Sequence, residues 1–190
     1  MDMTTKQVPK AIRRVFARYI SESRGGRPLG RDGRIRVNYF LDLLTAAHVE
    51  KDLQVIAKAF ASHLTKNVDL SAYDAIVAPK RGNSLLAKAV AEILCKPSAF
   101  VKESMLFGRW VEGSVASGDK ALLVDDIGSD GELLGDAASG LRHSGIYADQ
   151  VWVVVSRSEG DANYQLSELG ITYRFMFELN DNLLASMTQS

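Results

Sequence analysis

The stretch "ALLVDDIGSDGELLGDA" (residues 121–137) joins an apolar strand to a helix through a short turn that contains glycine. The four apolar residues at 121–124 are typical of a strand that is covered on both faces. Asp125 and Asp126 follow the strand, and a Gly-Ser-Asp-Gly turn at 128–131 precedes the helix. In open α/β sheets, ligands bind outside the carboxyl ends of the strands. The stretch therefore predicts a binding site at the end of this strand.

Two adjacent carboxylates at the end of a buried strand suit a ligand with neighbouring hydroxyl groups. Each carboxylate can accept a hydrogen bond from one hydroxyl, as two ribose hydroxyls would require. The unpaired N–H groups at the start of the following helix suit a phosphate. A single aspartate would be explained by its favourable interaction with the helix dipole. The pair Asp125 and Asp126 favours a sugar phosphate as the ligand.

The composition of the chain is that of an ordinary globular protein. It has 190 residues, 46% of them hydrophobic and 24% charged, which fits one domain with a core, or one domain with a small addition. No apolar run reaches the roughly 20 residues that span a bilayer, and the first residues lack the apolar region of a signal peptide. Cys95 is the single cysteine, and its apolar setting predicts a buried thiol. These features predict a cytoplasmic protein that does not enter a membrane.

The charges are unevenly distributed along the chain. The formal net charge is zero, but residues 1–36 carry ten basic and three acidic residues, a net charge of +7. This segment is interpreted either as a solvated face or as an edge that attracts anions. No basic motif interleaved with aromatic residues is present, so we do not expect binding to nucleic acid.

Apolar strands alternate with helices over most of the chain. The first segments are predicted to be a helix at 6–21, a glycine-rich basic loop at 23–34, a strand at 35–43 and a helix at 46–65. Further strands are predicted at 74–78, 98–103, 120–126, 150–156 and 171–177, with helices at 84–95, 131–143, 162–169 and 181–187. This pattern predicts an α/β fold: a doubly wound, mainly parallel central sheet with flanking helices. Within a single compact domain, residues 1–45 are predicted to form a small N-terminal hood over the carboxyl edge of the sheet, and residues 46–190 the core.

The order of these segments resembles that of type I phosphoribosyltransferases, and most closely of orotate phosphoribosyltransferase. The segment "ALLVDDIGSDGELL" (121–134) resembles the ribose-phosphate signature of that family. Five other segments resemble family segments in the same order. "GRDGRIRVNYFLDLL" (30–44) resembles the substrate segment of the hood, "APKRGNSLLAKAVAEIL" (78–94) the pyrophosphate loop, and "FVKE" (100–103) the strand with an Arg-Lys-Glu run. "VVVSR" (153–157) resembles the strand whose final arginine contacts the base, and "ITYRFMFELNDNLLASM" (171–187) the last strand and helix.

The resemblance implies that phosphoribose is transferred from phosphoribosyl pyrophosphate to an orotate-like nucleobase, with release of pyrophosphate. It implies a homodimer and Mg²⁺ held mainly by the substrate diphosphate, with no direct protein ligand. The implied catalytic residues are Asp125, Asp126, Lys102 and Arg109, the two aspartates binding the ribose hydroxyls. The implied substrate-binding residues are Ile127, Gly128, Ser129, Asp130, Gly131 and Glu132 around the 5′-phosphate, Lys80, Arg81, Gly82 and Glu103 near the diphosphate, and Arg31 and Arg157 beside the base.

Three features of the sequence depart from the family pattern. Asp130 and Glu132 lie in a loop that the family builds from small and hydroxyl residues, and a carboxylate roughly 4–6 Å from a phosphate repels it unless it points away. The catalytic loop after Lys102 is shortened and keeps only Arg109 as a cation, and Val101 stands where the family has arginine. These departures leave an alternative open, namely a non-catalytic regulatory or interaction protein of the same fold that binds a phosphoribosyl compound or nucleotide.

Overall fold

The computed structural model describes residues 8–30, 33, 35–79, 84–104 and 108–189. The helices are α1 (Lys10–Arg18), α2 (Leu43–Ala47), α3 (Glu50–Asn67), α4 (Ser84–Ile93), α5 (Glu132–His143), α6 (Ala162–Glu168) and α7 (Asp181–Thr188), with a 3₁₀ turn at Leu70–Ala72. The strands are β1 (Ile20–Leu29), β2 (Ile35–Leu41), β3 (Ala75–Pro79), β4 (Ser98–Ser104), β5 (Gly108–Gly113), β6 (Ala121–Gly128), β7 (Gln150–Arg157) and β8 (Thr172–Leu179).

The central sheet has six strands in the order β5-β4-β3-β6-β7-β8. Every neighbouring pair is parallel except β4 and β5. Because side chains alternate along a strand, Leu122 and Val124 of β6 join the core layer with α1, α3 and α4. Leu123 joins the opposite layer with α5 and α6. The prediction of a doubly wound, mainly parallel sheet is confirmed.

Strands β1 and β2 form an antiparallel hairpin within the predicted hood segment, and we call it the hood hairpin. The predicted loop at 23–34 is wrong over residues 23–29, because these residues belong to β1: residues 27–29 pair with β2 and residues 23–26 form a bulge. The pairing shifts register between Glu22 and Arg27, and Gly25 and Gly26 in this bulge have φ of +93° and +76°. Glycine adopts such angles without steric cost, so here it permits a bulge within the strand rather than ending it.

Strand β5 was not predicted, because its sequence was interpreted as part of a catalytic loop. Residues 108–113 instead return antiparallel to β4 and form the edge of the sheet. A Cβ on Gly113 would lie 2.5 Å from the Ser98 carbonyl oxygen, and Gly113 has a φ of +132°. Glycine therefore permits the close approach of the two strands at the open end of this hairpin.

A buried ionic network fixes the hood hairpin to the sheet. Asp181, at the start of α7, accepts hydrogen bonds from the N–H groups of Asn38 (2.6 Å) and Tyr39 (3.2 Å). Arg157, at the end of β7, donates to the Tyr39 carbonyl oxygen (2.9 Å) and to the Asp181 carboxylate (2.8 Å). The hood hairpin is thereby held near the carboxyl edge of the sheet.

The thiol of Cys95 is exposed, so the prediction of a buried thiol is wrong. The residue follows the end of α4 and has a φ of +52°, which turns the chain out of the helix. Ala91 is buried and Leu94 packs against the core, whereas Ile93 and Cys95 are exposed at the end of the helix. Among the described helices, none combines the length and the apolar character that crossing a membrane would require.

Candidate active site at the carboxyl edge of the sheet

The structure places Asp125 and Asp126 at the carboxyl end of β6, between β3 and β7. Asp125 is 3% exposed and Asp126 is half-buried. Asp125 Oδ1 accepts the N–H of Asp126 at 2.9 Å, and Asp126 Oδ1 accepts the N–H of Ile127 at 2.7 Å. These bonds fix the direction of both side chains, so the two carboxylates are oriented by the backbone of their own strand.

A cavity of about 380 Å³, which we call the hood cavity, lies between the hood hairpin and β6. Asp125 and Asp126 border it from the sheet, and Arg27 and Phe40 border it from the hood hairpin. The Arg27 guanidinium carbon lies 4.0 Å from the centroid of the Phe40 ring, in a cation–π arrangement. A cation and a flat aromatic ring thus line the same cavity as the two carboxylates.

Neither Arg27 nor Phe40 was among the residues singled out in the sequence. Phe40 lies in the hood segment that resembles the family, and Arg27 belongs to its basic part. The β-rich composition of 35–43 indicates a strand but not which of its faces meets a ligand. The partner strand β1 decides this, since it brings Arg27 over the Phe40 ring.

A second cavity of about 250 Å³, which we call the loop cavity, surrounds the connection between β6 and α5. We call this connection, residues 128–132, the β6–α5 loop. Gly30 of the hood hairpin turn and Asp125 border the cavity together with much of the loop. Asp125 borders both cavities, so a ligand that extends from one to the other passes this carboxylate.

The connection between β7 and α6 braces the β6–α5 loop from outside. The N–H of Ala162 donates to the Ser129 carbonyl oxygen at 3.0 Å. A Cβ on Gly160 would lie 2.0 Å from the same oxygen, so a larger residue there would displace the loop. Gly131, the N-cap of α5, has a φ of +79° and lies against Ala162. No sequence pattern indicates this contact, because it joins segments about thirty residues apart.

Asp130 points into the β6–α5 loop rather than away from it. Its side chain is buried, at 8% exposure, and its Oδ1 accepts the N–H of Glu132 at 3.1 Å. A Cβ on Gly30 would lie 2.1 Å from Asp130 Oδ2. The Asp130 carboxylate therefore does not point away from the place where a phosphate would bind. Glu132 is half-buried in the first turn of α5.

Tyr173 of β8 lies beneath the β6–α5 loop with its hydroxyl against Gly128. The side chain is 4% exposed, and Tyr173 Oη has no hydrogen-bond partner among the described residues. Burial raises the pKa of this phenol well above its usual value. A Cβ on Gly128 would lie 2.0 Å from Tyr173 Oη, so the missing side chain at position 128 makes room for the phenol.

This contact predicts that substitutions at positions 128 and 173 are energetically coupled. Gly128→Ala is expected to lower the free energy of unfolding by about 1–3 kcal/mol, since overpacking costs that much in a closed core. Tyr173→Phe in the same chain removes the nearest atom, but Cζ of the ring would still lie 2.8 Å from the added Cβ, so this change is expected to restore only part of the loss. Urea unfolding of both single variants and the double variant measures this coupling. Equal losses with Tyr and with Phe at position 173 would contradict it.

Lys102 forms an ion pair with Glu112 across the β4–β5 hairpin. Its side chain is about one-fifth exposed, whereas that of Glu112 is more than half exposed. A diphosphate that is to meet the Lys102 ammonium must therefore compete with a carboxylate of the same hairpin. The role of Lys102 at a diphosphate stays a prediction.

Arg157 is 2% exposed, and its guanidinium is held by three acceptors. In addition to Tyr39 and Asp181, Glu159 Oε2 accepts from Arg157 Nε at 3.1 Å. Glu159 Oε1 in turn accepts the N–H of Asp181 at 2.8 Å. Arg157 borders the hood cavity, but its hydrogen bonds mainly connect β7 with α7 and the hood hairpin. Its role beside a base stays a prediction.

Comparison with known proteins places the chain in a family. No family model matches it. It is 33% identical over 126 residues to the orotate phosphoribosyltransferase of Pyrococcus horikoshii, which covers 65% of this chain and 67% of the relative. With the orotate phosphoribosyltransferase of Thermococcus kodakarensis it shares 30% identity over 142 residues, or 73% of this chain and 74% of the relative. The chain belongs to the orotate phosphoribosyltransferase family.

The fold agrees with this membership. The crystal structure of orotate phosphoribosyltransferase from Aeropyrum pernix superimposes with a TM-score of 0.74 at 22% identity. The match covers 94% of this chain and 97% of that one. The resemblance to type I phosphoribosyltransferases noted from the order of the segments is confirmed.

Several residues that the family resemblance singled out lie outside the described part of the chain. These are Arg31, Lys80, Arg81 and Gly82. The backbones of Glu103 and Arg109 are described and face each other as partners across the β4–β5 hairpin, but their side chains are not described. The roles of all six residues stay predictions.

The residues at the sheet edge fit a magnesium ion that is held mainly by its substrate. Among the described residues, no group of three or more His, Cys, Asp or Glu side chains could hold a metal. Asp125 and Asp126 offer two carboxylates, and Mg²⁺ in phosphate chemistry commonly takes one or two carboxylates, substrate oxygens and waters. The two carboxylates are therefore donors of a kind that Mg²⁺ can use beside phosphate oxygens.

Proposed function

We propose that this chain transfers phosphoribose from phosphoribosyl pyrophosphate to an orotate-like nucleobase and releases pyrophosphate. The observation that carries the proposal is the pair Asp125 and Asp126 at the end of β6, oriented by backbone hydrogen bonds and bordering the hood cavity. Membership of the orotate phosphoribosyltransferase family supports the choice of reaction.

The two aspartates would bind the sugar and stabilise the charge that develops on it. The ribose 2′- and 3′-hydroxyls would each donate a hydrogen bond to one carboxylate. As the bond between the anomeric carbon and the pyrophosphate oxygen breaks, positive charge grows on the ribose ring. Carboxylates fixed by their own backbone can stabilise that charge without first reorganising. A nitrogen of the base then bonds to the anomeric carbon, and its proton passes to the released pyrophosphate.

The wall formed by Arg27 and Phe40 supports a flat, anionic acceptor in the hood cavity. Aromatic rings favour offset stacking with other rings, and the Arg27 guanidinium can meet a carboxylate such as that of orotate. Both residues border the cavity that Asp125 and Asp126 share. We propose Arg27 and Phe40 as base contacts in addition to Arg31 and Arg157.

The leaving diphosphate would be neutralised by cations and Mg²⁺. We propose Lys80, Arg81, Lys102 and Arg109 for this role, with Gly82 and Glu103 next to them in the sequence. Lys102 would leave Glu112 and pair with the diphosphate instead. A magnesium ion bound with the diphosphate would supply further positive charge to the leaving group. The division into a hood segment (1–45) and a core (46–190), a homodimer and a cytoplasmic location also remain proposals. They rest on the family resemblance and the single cysteine.

The reaction is tested with purified protein, phosphoribosyl pyrophosphate, Mg²⁺ and a panel of bases that includes orotate and uracil. We expect pyrophosphate and a nucleoside monophosphate in equal amounts with at least one base. Orotate should give product faster than uracil. Chromatography of the nucleotide and a coupled pyrophosphate assay measure the two products. If calorimetry detects binding of phosphoribosyl pyrophosphate but no base yields product, the chain binds the compound without transferring it.

A further inference from the structure

We propose that Asp130 is an internal competitor for the 5′-phosphate and lowers the affinity of the β6–α5 loop for phosphorylated sugars. The identity of the ligand rests on the proposed function. Asp130 itself is a feature of this chain, because it stands in a loop that the family builds from small and hydroxyl residues. It would therefore determine specificity at this site.

The first observation is that the Asp130 carboxylate uses the start of α5. Asp130 Oδ1 accepts the N–H of Glu132, the first residue of α5, at 3.1 Å. The N–H groups at the start of a helix lack partners within the helix and attract anions, phosphate among them. A carboxylate that accepts one of these bonds occupies part of the site that a phosphate would use.

The second observation is that the hood hairpin encloses the same carboxylate. A Cβ on Gly30 would lie 2.1 Å from Asp130 Oδ2, and Gly30 has a φ of +82°. Only glycine combines that backbone angle with so close an approach. Asp130 is 8% exposed as a result. A phosphate that enters the loop must turn this side chain away from a closed position between the loop and the hood hairpin.

The third observation concerns charge in the loop cavity. Asp125 and Asp130 both border the cavity, together with Gly30 and the glycines of the loop. Two carboxylates facing one small cavity oppose the entry of a phosphate dianion, because like charges repel strongly where water is scarce. The rest of the loop keeps the features of a phosphate site, since Gly131 caps α5 and Ser129 is braced from outside.

The experiment compares binding of ribose 5-phosphate to four proteins by titration calorimetry: wild type, Asp130→Asn, Asp130→Thr and Asp161→Asn. Asp130→Asn keeps the shape and an acceptor for the Glu132 N–H but removes the charge. Both Asp130 variants are expected to bind at least about tenfold more tightly than wild type, because asparagine relieves the repulsion and threonine removes both the charge and the carboxylate that competes for the helix N–H. Asp161→Asn removes an exposed charge that does not border the loop cavity, and should change the affinity by less than about threefold.

The inference is overturned if both Asp130 variants bind as weakly as wild type, or if no variant binds. It is also overturned if Asp161→Asn gains as much affinity as Asp130→Asn, which would indicate an effect of general charge rather than a local competitor. Unphosphorylated ribose is the ligand control, and its binding should not respond to Asp130. Because the titration involves no base and no turnover, its result is separate from that of the pyrophosphate assay. Tighter binding without transfer would contradict the proposed function alone, and transfer without tighter binding would contradict this inference alone.

Discussion

Replacing Asp125 and Asp126 together with asparagine is expected to slow pyrophosphate release roughly a thousandfold. Each carboxylate is proposed to accept a hydrogen bond from a ribose hydroxyl, and a hydrogen bond to a charged group contributes about 1.5–3 kcal/mol. Two such losses correspond to roughly two to four powers of ten in rate. The measurement is the rate of pyrophosphate release with saturating Mg²⁺ and base, as a function of phosphoribosyl pyrophosphate concentration.

The double variant should fold normally, because asparagine keeps the side-chain oxygen that accepts the N–H groups of Asp126 and Ile127. Asp119→Asn is the matched control. Asp119 lies just before β6, at the opposite edge of the sheet, where its carboxylate accepts the N–H of Ala116 at 2.7 Å. The control should leave the rate unchanged. A double variant that retains a tenth or more of the wild-type rate would be incompatible with the assigned role.

Arg157→Ala is expected to lower the free energy of unfolding by about 3–5 kcal/mol, because removal of the buried guanidinium leaves two partly buried carboxylates without their partner. The side chain of Arg157 is 1% exposed, and those of Glu159 and Asp181 are about a quarter exposed. For a chain of this length, the loss corresponds to a fall of roughly 6–20 °C in the midpoint of thermal unfolding. Denaturant unfolding and a thermal melt measure the two quantities.

Arg36→Ala provides the control for Arg157→Ala. Arg36 is exposed on the hood hairpin and donates to the Gly26 carbonyl oxygen at 3.0 Å. Its removal should cost no more than about 0.5 kcal/mol, as is usual for surface positions. Limited proteolysis of the Arg157 variant should cut the hood hairpin first, because Tyr39 loses a bond to the sheet. A loss for Arg157→Ala no greater than for Arg36→Ala would show that the network does not hold the hood.

The central strands could be predicted from the sequence, whereas the two hairpin strands could not. Strands β3, β6 and β7 are buried on both faces, so nearly every residue in them is apolar and the run is visible by composition. Strand β5 pairs on one side only, and β1 belongs to a two-stranded hairpin. Both contain glycine and exposed charged residues, which in a sequence indicate loops. Their strand character comes from a partner strand rather than from their own composition.

In the site, too, the contacts between residues close in sequence could be predicted, whereas those between distant residues could not. The aspartate pair and the turn before α5 lie within a dozen residues, so their joint position at a strand end could be predicted. The contact of Asp130 with Gly30 joins residues one hundred positions apart. An arginine at the end of a buried strand likewise suggests a ligand contact, but its sequence neighbours do not reveal that Asp181 accepts its hydrogen bond.

A crystal structure with phosphoribosyl pyrophosphate and Mg²⁺ would show whether the two aspartates hold the ribose. We predict that the ribose 2′- and 3′-hydroxyls lie within about 2.5–3.0 Å of the carboxylate oxygens of Asp125 and Asp126. We also expect the diphosphate to lie towards β3 and β4. A ribose ring bound elsewhere, or one whose hydroxyls face solvent while both carboxylates keep to protein partners, would rule out the proposed role of the aspartates.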